Sequence, residues 1–309
     1  MNVTYPPSYS NCALCPRMCG ADRAAGCFGF CRMGCVPVVN LYKLHYGEEP
    51  VISGVRGSGT VFFEGCNLGC VFCQNHLISC GSTGKGEVCS SARLAAIYLE
   101  LQGLGAHNIN LVTPMHFAPT VAESIRAARA LGLTVPVALN ISGYERVETL
   151  LLFEGLVDIY LTDLKFYSSK LSSMVCGVSD YMSVAVEALD EMLRQVPERE
   201  FGDDGLLRRG VIVRHLMLPG QLFDTRKVLD LLLDRYGEKV MISLMNQYTP
   251  TSPALAAVNK KTLPAQFAGR VSVDHYNVMC EYLAMSGHRF CYMQDGDASG
   301  DAWIPEFRV

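Results

Sequence analysis

From residue 59 onward, short apolar runs alternate with longer stretches in which apolar positions recur every three or four residues. The runs at 60–64, 108–113, 135–141, 157–164, 210–218 and 240–245 predict strands. Between them, 91–104, 120–131, 145–154, 181–195 and 225–236 predict amphipathic helices, and a last helix is expected over 273–285. Strand and helix in strict alternation predict βαβ units around a parallel sheet. Six such units fall short of the eight that close a TIM barrel. The expected fold is therefore α/β, a partial (β/α)6 TIM-like barrel, with its active site at the C-terminal ends of the strands.

The first 58 residues follow another pattern, rich in Cys, Gly, Pro and Arg and without sustained helical periodicity. Two domains are expected: a cysteine-rich, metal-binding extension over 1–58 and the partial barrel over 59–309. The charged, turn-rich segment 197–204 reads as a solvated loop, and no internal repeat is visible.

Composition narrows the function classes. With 309 residues, half of them apolar, the chain can bury a large core. A net charge of −4 and 18% charged residues give no reason to expect a nucleic-acid partner. The opening residues MNVTYPP lack the basic segment and apolar run of a secretory signal, and no apolar segment reaches membrane-spanning length. Fourteen cysteines in a long chain with this much core predict reduced thiols and a cytoplasmic location.

The sharpest chemical signal is Cys66, Cys70 and Cys73, spaced C-x3-C-x2-C just after an apolar run. Thiolates select iron–sulfur or zinc over hard cations. A closed zinc site takes four ligands, and an ordinary [4Fe–4S] cluster takes four cysteines. Three without an evident fourth point to a cluster with one open iron, which can bind a small molecule and pass it an electron. A second set, Cys12, Cys15, Cys19 and Cys31, supplies four ligands at short spacing, with Cys27 or Cys35 as substitutes. A second iron–sulfur cluster and zinc both suit it, and either would stabilise a segment with little core. Cys80, Cys89, Cys176, Cys280 and Cys291 read as small buried hydrophobes.

Polar residues at the predicted strand ends complete the candidate site. Asp163 and Lys165 fall on one face of their strand with Ile159 and Leu161. A charged pair there, at the mouth of a barrel, suits a zwitterion such as a methionine moiety. Asn140 and Ser142 share a face and offer hydrogen bonds to ribose hydroxyls. Arg214, in an apolar strand, needs an anionic partner, either a bound carboxylate or an acid such as Asp163. His215 faces the outer helices, and His116 is a loop histidine that could serve as a hydrogen-bond partner. Asn246, Gln247 and Tyr248 would shape the substrate side, with Asp295 and Trp303 as candidate lid residues.

The triple-cysteine spacing resembles the radical S-adenosylmethionine (SAM) enzymes. More narrowly, the chain resembles the pyruvate formate-lyase activating enzyme-related radical SAM proteins. The likeness rests on Cys12-x2-Cys15-Pro-Arg-x-Cys19, Glu48-Glu49-Pro50, Cys73-Gln-Asn75, Asn108-Ile-Asn110, Asp163-x-Lys165, Arg214-His-Leu and Asn246-Gln-Tyr248. The N-terminal cysteine module departs from the activating enzymes, which begin close to the triple-cysteine motif. The resemblance implies a [4Fe–4S] cluster on Cys66, Cys70 and Cys73 and SAM held beside Phe72, Thr113, Asn140, Ser142, Asp163, Lys165 and Arg214. It implies an electron donor such as flavodoxin or ferredoxin, and a glycyl-radical enzyme or other protein as substrate. Radical modification of another peptide or small molecule is a second expectation. A non-catalytic iron–sulfur or zinc protein is a third, of a different class.

Overall fold

The computed structural model describes residues 8–294, 300 and 305–308. Asp295 and Trp303 lie outside the described residues. All six expected strands are present, and the sheet they form is wider than the sequence pattern indicated. The strands are β1 (Val38–His45), β2 (Ser58–Phe63), β3 (Glu87–Val88), β4 (Ile109–Val112), β5 (Val137–Ile141), β6 (Ile159–Asp163), β7 (Glu200–Phe201), β8 (Leu207–Leu216), β9 (Met241–Met245) and β10 (Cys291–Met293). Seven of them run parallel and neighbour one another in chain order, β2-β4-β5-β6-β8-β9-β10. Strands laid down in one direction without reversal curl as a barrel does, and here the sheet stays open, an α/β partial barrel.

The helices are α1 (Pro50–Ser53), α2 (His76–Ser79), α3 (Ser91–Gly103), α4 (Ala118–Ala130), α5 (Val147–Leu150), α6 (Ser169–Cys176), α7 (Tyr181–Gln195), α8 (Leu222–Leu231), α9 (Ser252–Asn259) and α10 (Val273–Met285). Hydroxyl caps open four of them: Ser90, Ser168, Thr251 and Ser272 each accept a backbone N–H two or three residues into the helix. The helix expected over 145–154 shrinks to α5 and a 3-10 turn at Leu151–Phe153. Thr149 donates its hydroxyl to the Leu14 carbonyl, tying this short element to the N-terminal segment. The helix expected over 225–236 begins at Leu222 and widens into a π-helical turn at Leu232–Tyr236.

Side chains alternate across the parallel strands. Leu139, Tyr160, Val211, Val213 and Ile242 join the main core with the covering helices. Ala138, Ile159, Leu161, Ile212 and Met241 form a second core on the opposite face, with Ile52 and Leu207. Both faces are covered, as a parallel sheet requires.

The sheet begins inside the segment 1–58. Strand β1 pairs antiparallel with β2 from Val39–Phe63 to His45–Ser58, and a bulge between Val39 and Leu41 breaks its two-residue period. The cysteine-rich part without strand or helix therefore spans 8–37. Segment 197–204 is not wholly loop, since β7 pairs with β8 there. Among the described residues, no helix is long and apolar enough to cross a membrane.

Candidate functional site

A cavity of about 490 Å³ opens where the parallel strands end. Its wall takes an inward-facing residue from the end of six of them: Phe62 of β2, Val112 of β4, Asn140 of β5, Asp163 of β6, Arg214 of β8 and Ser243 of β9. Each follows by two an inward residue such as Ala138, Leu161 or Ile212, so strand alternation alone aims these side chains at one space. The loop after β2 adds Cys70, Phe72, Cys73 and Gln74.

Cys66 is not in the wall, but it stands close to Cys70 and Cys73. Burial pushes the Cys66 thiol up to about 12, with the two neighbouring thiols adding to the shift. Burial and then Cys70 push Cys73 up to about 11. Cys70 is raised by its partner Cys176, whose thiol donates to Cys70 Sγ at 3.3 Å, and by burial. Buried thiols of this kind ionise readily only against a cation, and the donor set is soft throughout. Its chemistry fits an iron–sulfur cluster. Among the described residues, no group of three or more His, Cys, Asp or Glu side chains is arranged to hold a metal ion. A single zinc would draw its sulfurs to about 2.3 Å from one centre, whereas a four-iron cluster takes thiolates on separate irons.

In the N-terminal segment Cys12, Cys15 and Cys31 are buried and Cys19 is exposed. A side chain placed at Gly29 would meet Cys19 Sγ at 2.9 Å and Cys31 Sγ at 3.8 Å, so these two thiols face one point. The expected second cluster or zinc finds no arranged site there. What fills the segment is the buried Arg23, whose guanidinium donates to the carbonyls of Met33 (3.0 Å), Gly34 (2.5 Å) and His116 (2.6 Å). It also lies 3.7 Å from Cys12 Sγ. A guanidinium has five donors, and these carbonyls use most of them.

Asp163 and Lys165 pair at 2.5 Å, and each side chain is 19% exposed at the cavity. Burial disfavours the Lys165 ammonium, but Asp163 beside it outweighs burial and holds the pKa above the ordinary lysine value. Tyr181 of α7 fixes the pair from behind. Its hydroxyl donates to the Ser142 carbonyl (2.8 Å) and accepts from Lys165 N (2.9 Å), with the Asp163 carbonyl at 3.2 Å. Phe72 is buried in the wall, edge-on to Phe166 with ring centroids 6.1 Å apart.

Arg214 does not reach Asp163. Glu48 and Glu49 hold it, with Arg214 Nε donating to Glu49 at 2.8 Å and Nη2 to both acids. Burial opposes the Glu49 charge, but Arg214 wins and holds its carboxyl below the usual range. Asn110 donates to Glu48 at 2.7 Å. These two acids are functional candidates that residue-by-residue reading missed, although a lone arginine in an apolar strand asks for such partners.

Ser142 and Thr113 are not in the wall. Ser142 donates to Glu145 at 3.1 Å and accepts from Tyr144 N at 3.3 Å, as a turn residue does. Thr113 sits in the left-handed region at φ 57°. His116 is neither solvated nor in the cavity: it is buried, donates Nε2–H to the Glu64 carbonyl at 2.8 Å, and burial with Arg23 pushes its pKa down to about 3. His215 donates Nδ1–H to the Leu164 carbonyl and meets the Thr225 hydroxyl of α8. Gln247 lines the cavity, while the Tyr248 hydroxyl donates to the Phe267 carbonyl away from it.

No family model matches the chain. The uncharacterized protein MJ0674 of Methanocaldococcus jannaschii is 28% identical over 254 residues, covering 78% of this chain and 67% of that protein. Among solved structures, Streptococcus suis SuiB bound to precursor peptide SuiA matches at a TM-score of 0.47 and 10% identity. That match covers 74% of this chain and 46% of SuiB, so the chain spans less than half of it. Methylornithine synthase (PylB) matches at a TM-score of 0.45 and 14% identity, over 78% of this chain and 74% of PylB.

Proposed function

We propose that this chain is a radical SAM enzyme in which Cys66, Cys70 and Cys73 hold a [4Fe–4S] cluster and SAM occupies the adjoining cavity. The observation that carries the reading is a thiol pair, Cys70 and Cys73, in the same wall as the Asp163–Lys165 ion pair. When bound, the cluster supplies one electron that breaks a carbon–sulfur bond of SAM, giving methionine and a carbon radical that takes a hydrogen atom from the substrate.

The chain's own residues bind and orient. Asp163 and Lys165 offer opposite charges to a zwitterion, and each can exchange its partner for the amino acid's ammonium or carboxylate without leaving a charge unpaired. Phe72, backed by Phe166, presents an apolar plane for adenine. Asn140 offers its amide to the ribose hydroxyls. Arg214 is committed to Glu48 and Glu49, so it shapes the charge of the wall rather than taking the SAM carboxylate.

Within that class we propose hydrogen abstraction from a peptide, as in activation of a glycyl-radical enzyme, with flavodoxin or ferredoxin as electron donor. The chain's own residues 305–308 come to this cavity through Pro305. Asn40 donates its amide to the Arg308 carbonyl and accepts from Arg308 N, both at 2.9 Å. Phe307 packs edge-on against Phe62 at 5.4 Å, and Pro305 lies in the cavity wall.

The test is anaerobic reconstitution followed by dithionite and SAM, which should yield 5′-deoxyadenosine. If none forms while the cluster is intact, the enzyme reading fails. In the same preparation Asp163→Ala should weaken SAM binding by about ten- to a hundredfold, the size of a lost charge-assisted hydrogen bond. A bare electron carrier would have no SAM affinity to lose.

A further inference from the structure

We propose that Arg17 is a positioning residue for the loop 66–73, clamping it to the C-terminal end of α6 so that Cys176 rests against Cys70. The clamp itself needs no cluster. Its consequence for catalysis rests on the reading of Cys66, Cys70 and Cys73 as cluster ligands.

One guanidinium joins two backbones. On one side, Arg17 Nε donates to the Asn67 carbonyl at 3.1 Å and Nη2 to the Leu68 carbonyl at 2.9 Å, both between Cys66 and Cys70. On the other, Nη2 donates to the Cys176 carbonyl at 2.7 Å and Nη1 to the Gly177 carbonyl at 3.1 Å. The last carbonyls of a helix have no intrahelical donor, and α6 stops at Gly177, which is left-handed at φ 65°. A cation that supplies those donors suits both the orphan carbonyls and the negative end of the helix.

The plane of the fork is also fixed. The Phe30 ring lies 3.8 Å from the guanidinium carbon, a cation–π contact that limits rotation. The segment that carries Arg17 is anchored in turn, since Arg146 donates to the Ala13 carbonyl at 2.6 Å and Thr149 to the Leu14 carbonyl at 2.7 Å. Two further links close the joint: Val71 N donates to the Val175 carbonyl at 2.9 Å, and the Cys176 thiol donates to Cys70 Sγ at 3.3 Å. Hydrogen bonds to ligand sulfurs tune the potential of an iron–sulfur cluster. The N-terminal segment thus acts on the loop through Arg17, and through the loop on the Cys176–Cys70 contact. Lysine keeps the charge but cannot span both backbones, because it lacks the planar fork.

The experiment uses the full, metal-free chain, so that its outcome does not depend on the cluster. Native-state alkylation with iodoacetamide, resolved by peptide mass spectrometry, and amide hydrogen exchange are compared for wild type, Arg17→Gln and Arg17→Lys. In Arg17→Gln, alkylation of Cys70 and Cys176 should rise about tenfold relative to Cys89, reflecting easier local opening. Exchange should quicken over 66–73 and 175–177 and stay unchanged over 207–216. Arg17→Lys should fall between the two, and it carries the comparison if Arg17→Gln does not fold. A folded Arg17→Gln that labels Cys70 and Cys176 at wild-type rates overturns the proposal, as does an Arg17→Lys indistinguishable from wild type. A rise that is equal at Cys89 and over 207–216 also overturns it, because it marks general loosening. Absence of 5′-deoxyadenosine in the functional assay would end the enzyme reading and leave this clamp standing.

Discussion

At the scale of single residues, burial decides which groups beside the cavity carry charge. Glu145 is buried under the loop, accepting from the Ser142 hydroxyl at 3.1 Å and from Asn67 Nδ2 at 3.4 Å. Burial outweighs those hydrogen bonds and pushes its pKa from 4.5 up to about 8. A carboxyl raised on folding contributes stability that is full below its unfolded pKa and lost as pH climbs through the folded one. The window is therefore pH 4.5 to about 8. Glu145→Gln keeps the shape and removes the ionisation, so its melting temperature should fall less than that of wild type between about pH 6 and about pH 9. Thermal denaturation at both ends of that range checks this, and equal pH slopes would rule it out. The same scale shows what the chain's spelling reveals. Asn140, Asp163 and Arg214 were legible because strand alternation alone aims them inward. Ser142 was not, since β5 ends at Ile141 and Gly143 turns the chain at φ 80°, so the alternation stops one residue too soon. The role of Glu48 and Glu49 depends on a partner far along the chain, in β8, and no local pattern encodes that pairing.

Elements are joined at the cavity by buried hydrogen bonds rather than by their own regularity. Tyr181 opens α7, a helix whose bounds the apolar period gave without error, yet nothing in that period marks its hydroxyl as the knot between the ends of β5 and β6. Tyr181→Phe leaves the ring in place and strands the Ser142 carbonyl and Lys165 N in a dry site. The expected cost is about 1–3 kcal/mol, the range for unsatisfied buried groups. SAM affinity should fall with it, because Lys165 loses the bond that sets its backbone. Denaturant unfolding together with SAM titration tests this, and a variant equal to wild type in both would show that the hydroxyl is idle. The elements the pattern missed have physical reasons too. The bulge in β1 hides its alternation, and β10 is only three residues long, too short to show a period. The two turns of α6 offer little helical periodicity to read.

For the whole molecule, the question is where the N-terminal segment stops and the sheet starts. Composition changes near residue 58, but β1 covers one side of β2 along six paired positions, and every residue of β2 is buried. A chain starting at 59 would cut into β2, delete β1, and expose an apolar edge able to pair with other chains. It would also delete Glu48 and Glu49, leaving Arg214 buried without its acids, which is costly. A chain starting at 37 keeps β1 and both acids and loses only the cysteine-rich segment with its Arg17 and Arg23 anchors. We therefore propose the divide just before Val38. The 37–309 chain should melt cooperatively, at a lower temperature than the full chain, while 59–309 should aggregate or show no cooperative transition. Circular dichroism melts and size-exclusion profiles of the two truncations decide between the boundaries. A 59–309 chain that melts as cooperatively as 37–309 would return the divide to residue 58 and make β1 an accessory to the sheet.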